Sequence, residues 1–451
     1  MTNCQLAQQV QRLADIYHSM HKFTEEQYTS NQVKRGLRDI DGTGVVTGLT
    51  DISDVIGKKL IDGVKVPCAG ELYYRGIDVR TMVDNYDNQM RSGFEEATYL
   101  LLFNKLPNKK ELIEFKNVLT CYRKLPKNFV RDVIMKAPSK DIMNSLAKSV
   151  LALYSYDSHA LDNSVENSLK QCLTLIAIMP MLAVYAYHAH IHYNEGKSFV
   201  IHRPKAEYST AENVLHMLRE DSKFTELEAK VLDIAFILHA EHGGGNNSTF
   251  TTHVVTSAGT DTFSTMTAAL CSLKGSRHGG ANIKVMEMMA DIKKHVSDWN
   301  DRDKIRDYLS KILNKEAFDK AGLIYGMGHA VYSVSDPRAQ VFKNFVGMLA
   351  AEKGRNKEFK LYNTIEEISQ QLICEKRRTI KGVSANVDFY SGFVYNMLGL
   401  PVELFTPMFA IARMSGWSAH RLEELLNNGK IIRPAYVSTN GRNEYKPLEQ
   451  R

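Results

Sequence analysis

The sequence predicts a mostly helical protein with a few short strands near its N-terminus. Apolar residues recur at helical spacing over most of the chain from about residue 94 onward. The alternation of strands and helices that marks a parallel α/β sheet is missing, and so are the GxGxxG and GxxxxGK[ST] motifs. These observations exclude Rossmann and P-loop enzymes. The 451 residues predict two or three units, or one large helical body with a lobe.

The composition is that of an ordinary globular protein. Hydrophobic residues make up 44% and charged residues 24%, which excludes a mainly disordered or collagen-like chain. The net charge of +6 is mild for this length. It suits an anionic small ligand without requiring nucleic acid. Six cysteines are scattered along the chain and form no CxxC pair, so we expect free thiols in a reducing compartment.

The N-terminal part predicts one helix followed by short strands. Apolar residues at Leu6, Val10, Leu13, Tyr17 and Met20 have helical spacing, so we expect an amphipathic helix over residues 4–22. This segment has no apolar core of the signal-peptide kind, and we expect no targeting segment here. A Gly- and Val-rich stretch follows at residues 41–50. Short runs at residues 64–66 and 72–74, separated by turn residues, predict strands or hairpins.

The remaining elements are predicted helices. One spans residues 94–103, with Ser92 as its cap and Pro107 beyond its end. The longest apolar run, residues 172–187, is shorter than the ~20 residues of a membrane span and contains Pro180, so we interpret it as a buried helix. Thr225 and Glu228 form a capping box before residues 231–238. Residues 261–273 and 407–427 have the same helical pattern, and the polar stretch 291–320 predicts entry into a second lobe.

Three segments carry a histidine beside glycines, which a packed helical core does not need. In residues 239–254, three glycines and two asparagines follow His242, so the helix that carries His239 must end there. In residues 273–282, His278 lies between glycines, and in residues 325–339, His329 follows Gly-x-Gly. Glycine lets a backbone approach a ligand closely. The spacing of His239 and His242 also suits zinc, but HExxH is absent and no cysteine pair supports it, so we expect no metal.

Two further segments carry isolated charges. Asp388 is predicted to lie in a loop of small residues at 384–392, and Arg413 interrupts an apolar helical stretch. A buried arginine needs an acid or an anionic ligand. Each feature also has a structural interpretation: a turn histidine, a helix cap at Asp388, a core ion pair at Arg413, or a surface cation at Arg338. Their co-occurrence favours a functional site.

The chain carries several short motifs in one order and spacing: ELYYRG (71–76), HGGGN (242–246), GSRHGGAN (275–282), GMGH (326–329), DPR (336–338), NVDFYSG (386–392), FTPMFAIAR (405–413), GWSAH (416–420) and IRP (432–434). In this order and spacing they resemble the citrate synthase family, and the resemblance covers about residues 40–437.

The resemblance implies a fold, an activity and partners. It implies an almost entirely helical homodimer whose large domain spans residues 1–288 and 401–451, with a small domain inserted at 289–400. The implied reaction condenses oxaloacetate with acetyl-CoA and hydrolyses the thioester to citrate and CoA. Acetyl-CoA is a substrate, so no cofactor is implied. No nucleic acid or membrane partner is implied, and we expect a cytoplasmic protein.

The resemblance also implies roles for eleven residues. Asp388 is similar to the base that removes a methyl proton, His278 to the donor at the thioester oxygen, and His329 to the group that polarises the ketone. The implied oxaloacetate contacts are His242, Asn246, Arg338, Arg413 and, from the partner subunit, Arg433. The implied acetyl-CoA and CoA contacts are Asn386 and the backbone at Gly326 and Gly328.

Some positions depart from the commonest family pattern and leave alternatives open. They are Ser276, Ala330, Ala385 and His253, the last standing where arginine is frequent. A 2-methylcitrate synthase using propionyl-CoA would keep the same catalytic residues, since one methylene changes discrimination by only ~1–3 kcal/mol. A citryl-CoA lyase, an inactive CoA-binding paralogue and a helical scaffold are further alternatives. The basic cluster Lys376, Arg377, Arg378 and Lys381 could meet CoA phosphates or be a solvated loop.

Overall fold

The computed structural model describes residues 3–39, 42–89, 91–377 and 382–451, and in these residues the protein is mostly helical, as predicted. The helices are α1 (Asn3–His18), α2 (Glu25–Ser30), α3 (Val79–Asn88), α4 (Phe94–Phe103), α5 (Lys109–Tyr122), α6 (Ile142–Leu153), α7 (Val165–Glu195), α8 (Thr210–Leu218), α9 (Glu226–His239), α10 (Asn247–Ser257), α11 (Thr262–Leu273), α12 (Ala281–His295), α13 (Arg302–Leu313), α14 (Pro337–Glu352), α15 (Asn356–Arg377), α16 (Val387–Met397) and α17 (Phe405–Leu426). The strands are β1 (Ser53–Ile61), β2 (Val64–Tyr74) and β3 (Ile77–Asp78). Short 3-10 turns and one π-helical turn, Val130–Ile134, connect some of these elements.

The chain divides into two units. The first comprises Met1–Gly48 and Arg433–Arg451, and the second comprises Leu49–Ile432. In the first unit, α1 confirms the predicted amphipathic helix, although none of its residues is buried. Thr24 and Gln27 form a capping box at the start of α2. The second unit contains all the remaining helices and the three strands.

The core of the second unit is built around α7. This helix of 31 residues packs against α5, α6, α8 and α17, and Pro180 lies inside it. Of the helices that the structure describes, it is the one long and apolar enough to cross a membrane, and 89% of its apolar window is buried inside the protein. The apolar run at 172–187 therefore forms a core helix, as the sequence predicts.

A β-hairpin is the main non-helical element of the second unit. Strands β1 and β2 pair antiparallel from Ser53 with Tyr74 to Ile61 with Val64, with a bulge between Ile56 and Lys58. The backbone N–H of Gly70 on β2 donates to the carbonyl oxygen of Ser335 over 3.1 Å. The stem of the hairpin therefore rests on the loop before α14, which carries predicted site residues.

Helix boundaries agree with the sequence pattern, but one predicted cap is wrong. The capping box of Thr225 and Glu228 starts α9, as expected. Helix α4 begins at Phe94, yet Ser92 does not cap it. The carboxylate of Asp233 on α9 accepts instead from the backbone nitrogens of Gly93, at 2.7 Å, and Phe94, at 3.4 Å. The partner is 140 residues away, so a local pattern could not reveal it.

Helices α12 to α16 occupy the region in which the resemblance places a small domain. Helix α16 packs against α12 and α14, and α15 packs against α13 and α14. Helix α14 also packs against α9. The domain boundaries at residues 289 and 400 stay a prediction. All six cysteines are free thiols in the described structure.

Candidate functional site

Four separate segments of the second unit converge on Arg413, in the middle of α17. The guanidinium of Arg413 helps to lower the pKa of His242, in the loop after α9, and of His278, in the loop before α12. It also acts on the pKa of Asp388, in the first turn of α16, as does Arg338, in the first turn of α14. The guanidinium of Arg413 thus lies within electrostatic reach of His242, His278 and Asp388, which the sequence predicts as site residues.

Two predicted histidines stand edge to face. The ring centroids of His242 and His329 lie 5.1 Å apart with 79° between the ring planes. Both rings contact Tyr332, with centroids at 5.5 Å and 4.9 Å. The Nε2 atom of His242 is buried without a hydrogen-bond partner in the described structure. Burial, together with Arg338 and His329, lowers the pKa of His242 well below its ordinary value, so this imidazole is neutral at pH 7.

The hydrogen bonds of His329 define its protonation state. Its Nδ1 accepts from the backbone nitrogens of Val331, at 3.1 Å, and Tyr332, at 3.2 Å. A ring nitrogen that accepts carries no proton, so the imidazole is neutral with its proton on Nε2. The stack on Tyr332, with 25° between the planes, fixes the ring orientation. His329 therefore presents an uncharged N–H donor.

The two arginines predicted to contact oxaloacetate within this chain have different surroundings. Arg338 is buried and forms a bidentate pair with Asp336, at 3.0 Å and 2.7 Å. Arg413 is fully buried and donates from Nε to the carbonyl oxygen of His239 over 2.7 Å. Both of its terminal nitrogens lack a hydrogen-bond partner in the described structure. Burial lowers the pKa of Arg413 to about 10, so it remains a cation at pH 7.

Asp388 lies in a helix and not in a loop, which corrects the sequence prediction. It is the second residue of α16, and its backbone N–H donates to the Oδ1 of Asn386, the cap of that helix. Burial raises the pKa of its carboxyl to about 6, while Arg338 and Arg413 oppose the shift. The group is thus an ionised carboxylate at pH 7 with more basicity than an ordinary aspartate.

His278 lies beside a small polar cluster. Its Nε2 is 3.1 Å from the hydroxyl of Ser248, which also accepts from the indole N–H of Trp417 over 3.2 Å. Asn246, a predicted oxaloacetate contact, is 3.0 Å from the same hydroxyl. Burial, with Arg413, lowers the pKa of His278 to about 4, so this imidazole is also neutral at pH 7.

The predicted CoA contacts hold two backbone segments together. The side chain of Asn386 donates to the carbonyl oxygen of Gly328 over 2.9 Å, and its backbone N–H donates to that of Gly326 over 2.9 Å. Gly326 has φ 78° and Gly328 has φ 93°, which glycine adopts without strain. A Cβ on Gly326 would lie 2.9 Å from atoms of Phe389. These residues thus fix the loop of His329 against α16.

Other predicted residues lie elsewhere or outside the described chain. Arg433 belongs to the first unit. In the basic cluster, Arg378 and Lys381 lie outside the described residues, as does the side chain of Arg377. The Nζ of Lys376 donates to the carbonyl oxygen of Leu313 over 2.6 Å, at the end of α13.

Several residues near the site were missed by sequence reasoning. Tyr332 supports two histidines, Asp336 holds Arg338, Ser248 contacts His278, and the buried carboxylate of Glu241 accepts from the backbone N–H of Gly243 over 2.5 Å. Asp336 could have been found from its place before Pro337, since an aspartate there caps a helix. The others depend on tertiary contacts. Within the described ranges, no group of three or more His, Cys, Asp or Glu side chains could hold a metal ion.

Comparisons with known proteins identify the family of this chain. The model of the family described as "Citrate synthase, C-terminal domain" matches residues 39–435. A citrate synthase of Synechocystis sp. is 34% identical, covering 94% of this chain and 95% of that protein. A 2-methylcitrate synthase of Corynebacterium glutamicum is 31% identical, covering 94% of this chain and all of that protein.

A solved structure supports the same assignment. It is the ternary complex of carboxymethyl coenzyme A and oxaloacetate with the citrate synthase of Thermoplasma acidophilum. It has a TM-score of 0.74 and 25% identity, and it covers 93% of this chain and 99% of that one. This chain therefore belongs to the citrate synthase family, whose members are enzymes of acyl transfer and condensation.

Proposed function

We propose that this chain condenses oxaloacetate with acetyl-CoA and hydrolyses the thioester product to citrate and CoA. The observation that carries the proposal is Arg413, a fully buried cation whose two terminal nitrogens have no hydrogen-bond partner among the described residues. A buried cation is costly unless it is paired, so the site favours an anionic ligand. With Arg338 nearby, two planar guanidinium groups suit a small dicarboxylate such as oxaloacetate. The Thermoplasma relative was solved with oxaloacetate.

Asp388 is the proposed base for the acetyl methyl group. A thioester α-proton is weakly acidic, so the base must act while the developing enolate oxygen is stabilised. The raised pKa of about 6 makes Asp388 a stronger base than an ordinary aspartate, yet leaves it ionised at neutral pH. We expect kcat/KM to fall as the pH decreases through this value.

His278 is the proposed donor to the thioester oxygen, and Ser248 orients it. Trp417 can only donate, so it occupies a lone pair of the Ser248 hydroxyl. The hydroxyl donates its own proton to Oδ1 of Asn246. Nε2 of His278 therefore carries the proton of the neutral ring and donates to the remaining lone pair of Ser248. We propose that the thioester oxygen receives this N–H when acetyl-CoA binds. A neutral donor stabilises the oxygen without forming an over-stable ion pair.

His329 is the proposed donor to the oxaloacetate ketone. Its Nε2 carries the proton because Nδ1 accepts two backbone N–H groups. His242 and Asn246 are proposed to contact the same substrate, and Arg338 and Arg413 its carboxylates. Asn386 and the backbone of Gly326 and Gly328 are proposed to contact acetyl-CoA. Closure of the predicted small domain would keep water out until condensation is complete.

A 2-methylcitrate synthase is the second candidate, since such enzymes also occur among the relatives at similar identity. The discriminating experiment measures thiol release by the purified protein with oxaloacetate and either acetyl-CoA or propionyl-CoA. We expect the higher kcat/KM with acetyl-CoA. A higher value with propionyl-CoA would keep the mechanism and change the substrate. No release with either would contradict the enzymatic proposal.

A homodimer with a shared site is also proposed, with Arg433 reaching oxaloacetate in the partner subunit. The test mixes an Arg433→Ala protein with an Asp388→Asn protein under subunit exchange. Partial recovery of activity would support a contribution in trans, because a mixed dimer then holds one intact site. If activity does not recover, Arg433 acts within its own subunit or outside the site.

The proposed reaction needs no cofactor, since acid–base groups and arginines that bind the substrate carboxylates supply its chemistry. We therefore expect a chelator to leave thiol release unchanged. A cytoplasmic location is proposed on the support of six free thiols, which suit a reducing compartment. No nucleic acid or membrane partner is proposed.

A further inference from the structure

A chain of four ionisable side chains leads from the site toward the surface. The carboxylate of Glu241 is 3.1 Å from Nε2 of His420, and Nδ1 of His420 is 3.0 Å from Nε2 of His253. Nδ1 of His253 is 2.8 Å from the carboxylate of Glu424. Glu241 and His420 are fully buried, whereas the His253 and Glu424 side chains are 14% and 16% exposed. We call these four residues the Glu–His–His–Glu chain.

The three links of this chain require three protons, because each hydrogen bond needs one proton between its two atoms. Glu241 is an ionised acceptor: burial favours its neutral form, but His420 and Arg413 hold its pKa at about 2. Two neutral imidazoles supply only two protons. All three links therefore form only when the histidine pair carries one additional proton, and with it one positive charge.

Glu241 connects this chain to the substrate site. Its Oε1 accepts from the backbone N–H of Gly243, directly after His242, and from the hydroxyl of Ser53. Its Oε2 is buried without a hydrogen-bond partner in the described structure. Arg413 lies within electrostatic reach of Glu241, since Glu241 raises the pKa of Arg413 against the effect of burial. The two groups nevertheless do not form an ion pair in the described structure.

We infer that the proton shared by His253 and His420 keeps Arg413 available to the dicarboxylate substrate. The positive charge of the pair compensates Glu241, so that Glu241 does not draw Arg413 away from the ligand. When the proton is lost, the carboxylates of Glu241 and Glu424 flank an uncharged histidine pair, and Glu241 competes for Arg413. His253 and Glu424 are thus positioning residues that act through His420 and Glu241, and this role rests on the proposed function.

Two other charged neighbours act on the chain. Glu423 on α17 lies 4.0 Å from Nδ1 of His420 and adds negative charge, and the backbone N–H of Asp51 donates to it. The guanidinium of Arg75 donates to the carbonyl oxygen of Leu101 and lies within electrostatic reach of Glu423 and Glu241. Burial and His420 lower the pKa of His253, while Glu424 and Glu423 oppose the shift. The proton is therefore lost as the pH rises, and substrate affinity should weaken in the same direction.

The test measures oxaloacetate binding by calorimetry at pH 6 and pH 8, with three forms of the protein. We expect the dissociation constant of the wild type to increase by about fivefold or more between these pH values. His253→Arg keeps a permanent cation and should bind tightly at both. His253→Gln carries no charge and should bind weakly at both. In buffers of different ionisation heat, the wild type should show more proton uptake on binding than either variant, and the uptake that both variants keep belongs to other groups such as Asp388.

Controls separate this inference from a structural effect and from the proposed function. His295→Gln removes a histidine that lies 3.4 Å from Asp291 on α12, and it should leave the pH dependence unchanged. Glu424→Gln tests the same inference with a second variant. It removes a carboxylate that favours the protonated histidine pair, so it should weaken oxaloacetate binding more at pH 6 than at pH 8. If wild type and His253→Arg bind with the same pH dependence, the inference is wrong and the proposed function stands. If no form binds oxaloacetate, both fail.

Discussion

Several side chains of this site have a charge or a protonation state that lowers the stability of the folded protein when no ligand is bound. Arg413 is a buried cation with two nitrogens that find no hydrogen-bond partner in the part of the chain that the structure describes, and Asp388 is a buried carboxylate with a raised pKa. His242 and His278 are kept neutral by burial and nearby arginines. Groups of this kind concentrate at functional sites because ligand and transition state, rather than the fold, satisfy them. Substitutions here should therefore separate activity from stability.

Asp388→Asn should abolish thiol release while leaving oxaloacetate affinity within about twofold, since an amide cannot act as the base. The same change should raise the unfolding temperature at pH 8. The folded pKa of about 6 lies above that of an unfolded aspartate, so ionisation costs stability as the pH rises from about 4 through 6. Asparagine does not ionise and avoids this cost.

Kinetics and thermal unfolding at pH 5 and pH 8 check this prediction. Asp307→Asn, at an exposed position of α13, is the matched control and should change neither activity nor stability. Loss of oxaloacetate binding in Asp388→Asn would instead assign Asp388 a structural role.

The residue types of the site were predictable, but their states were not. Glycines beside His242, His278 and His329 marked the three histidine segments, and an arginine in an apolar stretch marked Arg413. The tautomer of His329 depends on two backbone N–H groups in a turn. The missing counter-ion of Arg413 depends on what packs around α17. Such contacts can be known only from the three-dimensional structure. The periodicity of a sequence predicts which face of a helix is buried, but it does not predict which side chain lies opposite.

At the scale of elements, the hairpin of β1 and β2 supports the loop that holds His329 and leads into α14, which carries Arg338. A Cβ on Gly70 would lie 2.2 Å from the carbonyl oxygen of Ser335 and 2.6 Å from the ring of Tyr332. A Cβ on Gly57 would lie 2.4 Å from the carbonyl oxygen of Val331. One glycine on each strand thus permits this close approach. The sequence predicted short strands here but not their contact with the site.

Gly70→Ala should push the hairpin away from this loop. Overpacking of a tight contact costs about 1–3 kcal/mol of unfolding free energy. Because Tyr332 stacks on His329, we also expect a higher KM for oxaloacetate and a lower kcat. Denaturant unfolding and steady-state kinetics check both effects. Gly48→Ala is the control, since a Cβ there would meet no atom within 4 Å. Unchanged kinetics in Gly70→Ala would show that the hairpin does not position the loop.

The start of α4 provides a second test between elements. Burial and Glu95 raise the pKa of Asp233 to about 7, although the backbone N–H groups of Gly93 and Phe94 favour its ionised form. The folded pKa lies above the unfolded value, so this group contributes stability at low pH that is lost as the pH rises through about 7. Asp233→Asn keeps one acceptor for Gly93 and cannot ionise.

We therefore expect Asp233→Asn to gain stability relative to wild type as the pH increases from 5 to 8. Unfolding temperatures of both proteins at these two pH values check this. Asp84→Asn, at an exposed position of α3, should follow the wild type. Parallel pH curves for wild type and Asp233→Asn would mean that Asp233 does not titrate in the folded protein.

At the scale of the whole molecule, the fold class and the order of the site segments were readable from the sequence. Helical spacing predicts the fold class, which the structure confirms, and the ordered motifs predict the family, which the comparisons confirm. The packing of the second unit around α7 follows from its apolar length. The division of the chain at Gly48 and Arg433 was not predicted, because no change in composition marks it. Domain closure and the homodimer stay predictions.

The effect of a ligand on unfolding tests the molecule as a whole. A ligand that binds only the folded state increases the free energy of unfolding of the whole protein. Oxaloacetate at a hundred times its dissociation constant should add about 2.7 kcal/mol to the unfolding free energy. This increase should raise the unfolding temperature by several degrees. Arg413→Leu should remove most of the increase, because the buried cation that receives a substrate carboxylate is gone. Without ligand, that variant should be as stable as wild type or more so, because an unpaired buried charge is costly.

Thermal unfolding with and without oxaloacetate separates three kinds of protein. An active enzyme shows the stabilisation, its loss in Arg413→Leu, and thiol release. An inactive CoA-binding paralogue that kept its arginines shows the stabilisation without thiol release. A helical scaffold shows neither, since it has no reason to bind a dicarboxylate. Equal stabilisation of wild type and Arg413→Leu would remove Arg413 from the substrate site, and with it the observation that supports the proposed function most directly.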